Sequence, residues 1–125
     1  MIVDTNALSA WFDGDEALLS VMSAPRLLVL PVIVIGEYRY GVQLSTQRTD
    51  REAWLDRAIS ALQVVPITLA TADSYAAIRR ALHRKGRPIP PNDTWIAALA
   101  IQHSLPILSR DTHFDVVDGI QRIGW

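Results

Sequence analysis

The sequence predicts an α/β fold, a three-layer sandwich in which a parallel sheet lies between layers of helices. Short apolar segments rich in valine, isoleucine and leucine alternate with longer segments of helical pattern along the 125 residues. The apolar segments lack the polar alternation of a strand with one solvated face, which indicates strands covered on both sides. Because no internal repeat, linker or low-complexity tract is present, we expect one domain over residues 1–125.

The first quarter of the chain predicts two strands separated by two helices. Residues 1–4 are apolar and β-branched, and they end on the polar sequence Asp-Thr-Asn. Helical patterns follow at residues 7–12 and at about residues 16–23. Residues 27–30 form a continuous apolar run, which is typical of a buried strand.

A proline and a capping pattern mark the starts of the next two helices. Pro31 fits a helix N-terminus, because its fixed φ suits the first turn, and this helix is predicted to run to about Leu44. Thr49 and Glu52 match a capping box, which predicts another helix running to about Leu62.

The third quarter predicts a strand and a long helix. Residues 64–67 are apolar and β-branched, with Pro66 leaving the end of the strand open. Residues 70–85 carry an alanine-rich helical pattern, and Gly86 is typical of a helix C-terminus.

The last quarter predicts one more helix and two strands. A proline-rich turn over residues 87–91 leads into a helix over residues 92–103. Residues 105–109 then predict a strand, and residues 120–123 predict a short last one.

The composition excludes several classes of protein. The absence of cysteine rules out a disulfide framework and thiolate chemistry, and it suits a reducing cytosol. The first residues, Met-Ile-Val-Asp, place an acid before any signal-peptide apolar region. The most apolar stretch, residues 27–35, is only about half a membrane span and contains a proline. We therefore expect a soluble, cytoplasmic protein with no membrane partner.

The charge is nearly balanced but unevenly distributed. A net charge of −1 argues against a general binder of polyanions. Five cations nevertheless lie within nine residues: Arg79, Arg80, Arg84, Lys85 and Arg87. Eleven of the twelve cations are arginine, whose planar fork suits phosphate recognition. An equally good interpretation of the cluster is a solvated helix face that compensates the dipole at a helix C-terminus.

Two acids are predicted to lie at the same edge of the sheet. Asp4 ends the first strand, and Asp111 follows the strand at residues 105–109 by two residues. In open parallel sheets, functional sites form beyond the carboxyl ends of the strands. Taken alone, Asp4 is better explained as a helix N-cap and Asp111 as a turn residue.

Two further acids lie on predicted helices. The helical neighbours of Glu37 are largely apolar, and a carboxylate on such a face needs a partner, for which a cation would serve. Asp93 lies in the first turn of a helix, where an acid also complements the helix dipole.

Considered together, these four acids predict a metal site. Carboxylates that converge without a basic partner repel one another unless a hard cation neutralises them. Oxygen ligands without cysteine or a well-spaced histidine pair favour Mg²⁺ or Mn²⁺ over Zn²⁺. Of the three histidines, we expect His83 and His103 on the surface and give His113 a minor place at the edge of the site.

Four segments carry a family resemblance: IVDTN at residues 2–6, VIGEYRYG at 34–41, PNDTWIAA at 91–98 and LSRDTHF at 108–114. In order and spacing they resemble the PIN domain, and specifically the VapC-type toxin ribonucleases of bacterial type II toxin–antitoxin pairs. The resemblance covers essentially the whole chain. It implies a five-stranded parallel sheet, a homodimer, a cognate antitoxin and cleavage of RNA that depends on Mg²⁺ or Mn²⁺.

The resemblance also assigns roles to residues. Asp4, Glu37 and Asp93 match the central acidic ligands of the family, and Asp111 matches the fourth. Asp115 is a further acid that is a less favoured alternative to Asp111. Three polar residues match positions that support the acids: Asn6, Asn92 and Ser109.

The expected reaction is hydrolysis of an RNA phosphodiester by water that one or two cations activate. Asp93 or Asp111 is a candidate to accept the proton of that water. Arg39 and the basic cluster at residues 79–87 are candidate phosphate contacts, and single-stranded or looped RNA is the favoured substrate.

Two other functions remain as alternatives. A non-catalytic interaction module on the PIN fold would need no metal, and the intact acids argue against it. A receiver-like phosphoacceptor domain usually has paired acids near its start and a lysine after a late strand. Here Asp4 stands alone at the start, and the one lysine, Lys85, lies in a predicted helix.

Overall fold

Five short parallel strands form the sheet in a computed structural model that describes residues 1–125. They are β1 (Ile2–Val3), β2 (Val29–Pro31), β3 (Gln63–Val65), β4 (Ile107–Leu108) and β5 (Arg122–Ile123). Their order across the sheet is β3-β2-β1-β4-β5, and every neighbouring pair is parallel. Ile2 of β1 is in register with Val29 on one side and with Ile107 on the other.

Six α-helices connect the strands: α1 (Thr5–Phe12), α2 (Glu16–Met22), α3 (Val32–Gln43), α4 (Arg48–Ala61), α5 (Leu69–Lys85) and α6 (Pro91–His103). A 3-10 helix covers Thr112–Val116. Consecutive residues of a strand face opposite sides of the sheet, and both residues of β1 and of β4 are fully buried. The sheet is therefore covered on both faces, as the apolar strand patterns predict.

The strand order places a site at the carboxyl ends of β1 and β4. From β1 the chain builds β2 and β3 outward on one side, and it then returns to add β4 and β5 on the other. Ligands in open α/β sheets bind at such a reversal, beyond the carboxyl ends of the two central strands. Asp4 follows β1 directly and Ser109 follows β4 directly. The order also differs from the 2-1-3-4-5 order of receiver domains, which removes that alternative.

The predicted helix start at Thr49 and Glu52 is wrong. Helix α4 begins at Arg48, its N-cap Gln47 makes no side-chain capping bond, and Thr49 already lies inside the first turn. Glu52 accepts a hydrogen bond from Arg48 Nε at 2.9 Å, as an i,i+4 pair on an exposed helix face. The structure has its capping box at Thr68 and Thr71 of α5 instead.

The remaining boundaries differ from prediction by a few residues. Strand β3 ends at Val65, before Pro66, which has no N–H to donate to the sheet. Pro31 closes β2 and caps α3, so it lies just outside the helix that it was predicted to start. Helix α5 ends at Gly86 as predicted, where φ is +64° and a left-handed residue is required. None of the helices combines the length and apolarity of a membrane span.

Candidate active site

Asp4 is a buried carboxylate at the junction of β1 and α1. Its side chain is the N-cap of α1, because Oδ1 accepts a 2.7 Å hydrogen bond from the Thr5 backbone N–H. The other oxygen, Oδ2, accepts bonds from Ser109 Oγ at 2.6 Å and from Asn6 Nδ2 at 2.9 Å. Asp4 therefore acts as a helix cap and also ties the ends of the two central strands together.

The pKa of Asp4 is raised above its usual value. Burial is the largest cause, and the negative charges of Asp93 and Glu37 add to it. Hydrogen bonds from Ser109 and Thr5 oppose this shift by stabilising the ionised form. The influence of Asp93 and Glu37 shows that the three acids share one electrostatic environment.

Glu37 projects from α3 toward the same edge and is held at both oxygens. Oε2 accepts a 2.7 Å hydrogen bond from Thr5 Oγ1, and Oε1 accepts a 2.8 Å bond from Asn92 Nδ2. These two contacts join α1, α3 and α6 through one carboxylate. Both bonds leave lone pairs on the carboxylate oxygens that a cation can use.

Asp93, Asp111 and His113 form the most compact part of the site. His113 Nδ1 lies 2.8 Å from Oδ2 of Asp93 and 3.1 Å from Oδ1 of Asp111. One potential ligand atom from each of the three residues lies within 4.8 Å of the others. Asp111 Oδ1 also accepts a 2.9 Å bond from the His113 backbone N–H, so Asp111 caps the 3-10 helix.

His113 had only a minor place in the sequence-based prediction, yet it contacts two of the four acids. Its contact depends on the tight 3-10 turn after Asp111, which brings a side chain two residues later back beside the carboxylate. Thr5, which donates to Glu37, was not predicted at all. Its position directly after Asp4, at the first turn of α1, is the signal that was available.

The pKa of Asp93 is also raised. Burial is the main cause, with contributions from the charges of Asp111 and Glu37, while the bond to His113 acts in the opposite direction. No arginine or lysine lies within ion-pair distance of any of the four acids. The arginines and the lysine that form ion pairs do so with carboxylates outside this set. The site therefore gathers negative charge with only one partner that can become cationic, His113.

Asp115 has a different environment from Asp111. Arg122 binds both oxygens of Asp115, at 2.7 Å from Nε and 2.9 Å from Nη2, and this pairing lowers the pKa of Asp115. The same guanidinium donates to the backbone carbonyl of Ser109 at 3.1 Å. The structure thus brings Asp111 to Asp93 and engages Asp115 in an ion pair that supports the end of β4.

The polar residues predicted to support the acids all contact them or their neighbours. Asn6 and Ser109 donate to Asp4, and Asn92 donates to Glu37. Ser109 Oγ also accepts the backbone N–H of Asp111 at 2.9 Å, and Asn6 Oδ1 accepts the backbone N–H of Arg110 at 3.2 Å. The loop after β4 is therefore fixed against α1.

Most of the candidate phosphate contacts lie away from the acids. Arg39 pairs with Asp56 at 3.2 Å, Lys85 pairs with Asp118 at 2.7 Å, and Arg79 donates to the Tyr75 hydroxyl at 3.1 Å. Arg80 and Arg84 are exposed on α5. A groove of about 380 Å³ is lined by His113 and also by Arg87, which is the one residue of the basic cluster that it includes.

Protonated His113 is expected to stabilise the metal-free chain. Its hydrogen bond to Asp93 is the main cause that raises the pKa of the imidazole. The stabilisation is complete below the unfolded pKa of 6.5 and is lost as the pH rises through the higher folded pKa. His113→Gln should therefore lower the unfolding temperature in EDTA at about pH 6 and leave it nearly unchanged at about pH 9.

Thermal unfolding across this pH range measures the effect, which should be small because the side chain is 49% exposed. His83→Gln is the matched control, since His83 is exposed on α5. If the parent and His113→Gln lose stability in parallel from acid to alkaline pH, the proposed stabilisation is contradicted.

The acids fit a hard divalent cation. Their donors are carboxylate oxygens, which Mg²⁺ and Mn²⁺ prefer, and no cysteine is present to favour a softer metal. The raised pKa values of Asp4 and Asp93 show that the ionised site is electrostatically unfavourable by itself. A bound cation would lower this electrostatic free-energy cost.

Comparisons with known proteins identify the family of this chain. The family described as PIN domain matches residues 1–120. Ribonuclease VapC5 of Mycobacterium tuberculosis is 31% identical over 124 residues, which cover 94% of this chain and 87% of the relative.

Several solved structures share the fold. VapBC2 from Rickettsia felis, bound to a DNA fragment from its promoter, has a TM-score of 0.88 at 22% identity, covering 99% of this chain and 97% of that one. FitAcB from Neisseria gonorrhoeae has a TM-score of 0.82 at 27% identity, covering 98% and 95% of the two chains. From the extent of the family match and the identity to a VapC ribonuclease, this chain belongs to the PIN-domain family, among the VapC proteins.

Proposed function

We propose that the chain is the toxin of a toxin–antitoxin pair, an endoribonuclease that hydrolyses RNA phosphodiester bonds and depends on Mg²⁺ or Mn²⁺. The observation that carries the proposal is the convergence of four carboxylates without an arginine or lysine partner. They lie where the strand order reverses, which is the expected place for a site in this class of sheet. The ribonuclease named above, which covers nearly the whole chain, supports the same activity.

The proposed metal ligands are Asp4, Glu37, Asp93 and Asp111. A bound cation supplies acidity to a coordinated water and neutralises charge on the phosphate. Thr5 and Asn92 hold Glu37 through both of its oxygens, and Ser109 and Asn6 hold Asp4. This support matters because small displacements of catalytic groups reduce rates sharply.

Asp93 is the preferred proton acceptor. Water attacks phosphorus, the bond from phosphorus to the leaving oxygen breaks, and the proton of the water passes to Asp93 while solvent protonates the leaving oxygen. His113 Nδ1 lies 2.8 Å from Oδ2 of Asp93 and orients this carboxylate.

The proposal extends to partners and location. Solved relatives include members of toxin–antitoxin systems, and we propose a cognate antitoxin and a homodimer for this chain. We further propose that residues 1–125 act as one domain in the cytoplasm, where RNA is accessible.

Cleavage of total cellular RNA by the purified chain tests the proposed function. We expect discrete fragments with Mg²⁺ or Mn²⁺, none with EDTA, and none from the Asp4→Asn variant. Mapping the ends of the fragments identifies the RNA. If the folded, antitoxin-free chain leaves RNA intact under every metal condition, the non-catalytic interaction module becomes the better explanation.

A further inference from the structure

A groove of about 240 Å³ opens beside Glu37, between α1, α3 and α4. Three hydroxyl groups line it, those of Thr5, Ser9 and Ser45, together with the Tyr38 ring and the Arg51 side chain. Because Glu37 belongs to both the groove and the acidic site, a strand bound at the acids can continue directly into the groove. Its volume is of the order of one nucleotide.

Arg51 is the one cation that lines this groove, and its guanidinium is held in place. It lies over the Phe12 ring at 4.2 Å from the centroid, and its side chain is only 16% exposed. The Phe12 ring packs edge-on against Trp54, which also contacts Tyr38. Arg51 is thus pre-organised by aromatic contacts, which lowers the entropy lost when it binds a ligand.

The hydrogen bonds of Arg51 leave part of its fork free. Nη2 donates to Asp13 at 2.8 Å and to Gln47 at 3.3 Å, and Nη1 donates to the Tyr38 hydroxyl at 3.4 Å. The Nε–H and the second Nη1 hydrogen have no partner within the chain. Nη2 belongs to both two-point edges of the guanidinium and is already engaged by Asp13 and Gln47, so Arg51 can offer a phosphate oxygen one charge-assisted hydrogen bond, from Nε–H.

Electrostatics explains why a cation is needed at this position. A phosphate next to the one being hydrolysed would approach Glu37 and the other acids, which repel it. Arg39 on α3 and Arg48 on α4 do not line the groove and pair with Asp56 and Glu52 on exposed surfaces. Arg51 is also paired, with Asp13, but it is the cation that lines the groove and so can contact a phosphate bound there.

We propose that this groove binds the sugar–phosphate backbone of single-stranded RNA next to the scissile phosphate, with Arg51 contacting the neighbouring phosphate. The proposal rests on the proposed ribonuclease function and adds a substrate subsite to it. The hydroxyls of Ser9 and Ser45 lie in the same groove and can bond ribose or phosphate oxygens. The proposed ligand is a single strand because its backbone and bases are accessible there, unlike those of a duplex.

The competing explanation is that Arg51 is only a structural link. Its bond to Asp13 joins the C-terminal end of α1 to α4, and losing that link would lower stability without affecting substrate binding. The two explanations differ in what removal of Asp13 does. An asparagine there weakens the link but leaves Arg51 and its charge in the groove.

Steady-state cleavage of a single-stranded RNA oligonucleotide by the full chain separates the two. For Arg51→Met we expect KM to rise about tenfold, the effect of one lost charge-assisted hydrogen bond, with little change in kcat. The slope of log affinity against log salt should fall by about 0.7, the contribution of one phosphate contact on a single strand. Asp13→Asn should keep the parental KM or lower it.

Arg48→Met is the matched control, since it removes a cation from the same helix whose side chain is 59% exposed and outside the groove. Its KM should equal that of the parent. Arg51→Lys keeps the positive charge but not the guanidinium group, so its KM should be intermediate. This variant still tests the subsite if Arg51→Met fails to fold. The unfolding temperatures of all variants measure how much the ion pair between Arg51 and Asp13 contributes to stability.

A parental KM for Arg51→Met overturns the subsite, as does an equal rise in KM for Asp13→Asn and Arg51→Met. Failure of the proposed function is a distinct result, since then the parent itself cleaves no RNA in this assay. In that case the subsite is overturned along with the activity on which it rests.

Discussion

Replacing Asp93 with asparagine is expected to lower kcat for RNA cleavage by about 10³-fold while the chain stays folded. Asparagine keeps the size of the side chain and an oxygen that accepts the hydrogen bond from His113. It loses the negative charge that would bind a cation and the basicity that would accept a proton. The measurement is single-turnover cleavage of an RNA substrate in saturating Mn²⁺.

The same substitution is expected to maintain or raise stability in EDTA. The folded pKa of Asp93 is raised above its usual 3.8, so the ionised carboxylate costs free energy in the folded chain. That cost is absent below the unfolded pKa and is complete once the pH has passed the folded pKa, so at neutral pH the neutral asparagine avoids it. A lost activity with an unchanged or higher unfolding temperature distinguishes a functional acid from a structural one.

Asp73→Asn is the matched control, because Asp73 is an exposed acid on α5 and the substitution removes the same charge. It should cleave RNA at the parental rate. An Asp93→Asn variant that cleaves at that rate, or that loses activity only because it unfolds, would mean that Asp93 serves as a first-turn acid for α6.

Divalent metal is expected to raise the unfolding temperature of the parent by roughly 10 °C when the ion is present at about 100 times its dissociation constant. The physical reason is linkage, since an ion that binds the folded site but not the unfolded chain stabilises the folded state. Burial is the main cause of the raised pKa values of Asp4 and Asp93, and the ion would remove the repulsion between the acids that adds to it. Thermal unfolding with EDTA, Mg²⁺ or Mn²⁺ measures the shift.

Two asparagine variants identify the fourth acid in this experiment. Asp111→Asn should reduce the metal-induced shift, because Asp111 lies with Asp93 and His113 in one cluster. Asp115→Asn should lower the unfolding temperature with and without metal by similar amounts, since it breaks the pair with Arg122. The reverse pattern would assign the ligand to Asp115, and a parent that metal does not stabilise would contradict the proposed cofactor.

The architecture was predictable because it depends on patterns that are local in the sequence. Buried parallel strands need continuous apolar residues, and β1, β2 and β4 have them, so their existence and parallel arrangement were correctly predicted. The end of α5 was found because Gly86 has a backbone conformation that other residues adopt at a cost. The capping box at Thr49 failed because the motif is short and the same residue types serve equally well within a helix.

The site was predictable in its acids and less so in its contacts. Asp4 and Asp111 could be placed together because parallel strands end at one edge, and that inference needs only topology. The contacts of His113, Thr5 and Arg51 depend on side-chain directions across separate elements, which no periodicity encodes. Arg51 in particular is distant from the acids in sequence, and its groove exists only after α1, α3 and α4 have packed together.

The bond between Asp4 and Ser109 joins residues that are 105 positions apart. The first strand gains its neighbour β4, and Asp4 its hydroxyl partner, only after residues 107–109 have left the ribosome. A nascent chain therefore carries Asp4, Glu37 and Asp93 without the loop that aligns them. The proposed ribonuclease site can therefore align only after the residues of β4 and the loop that follows it have been made.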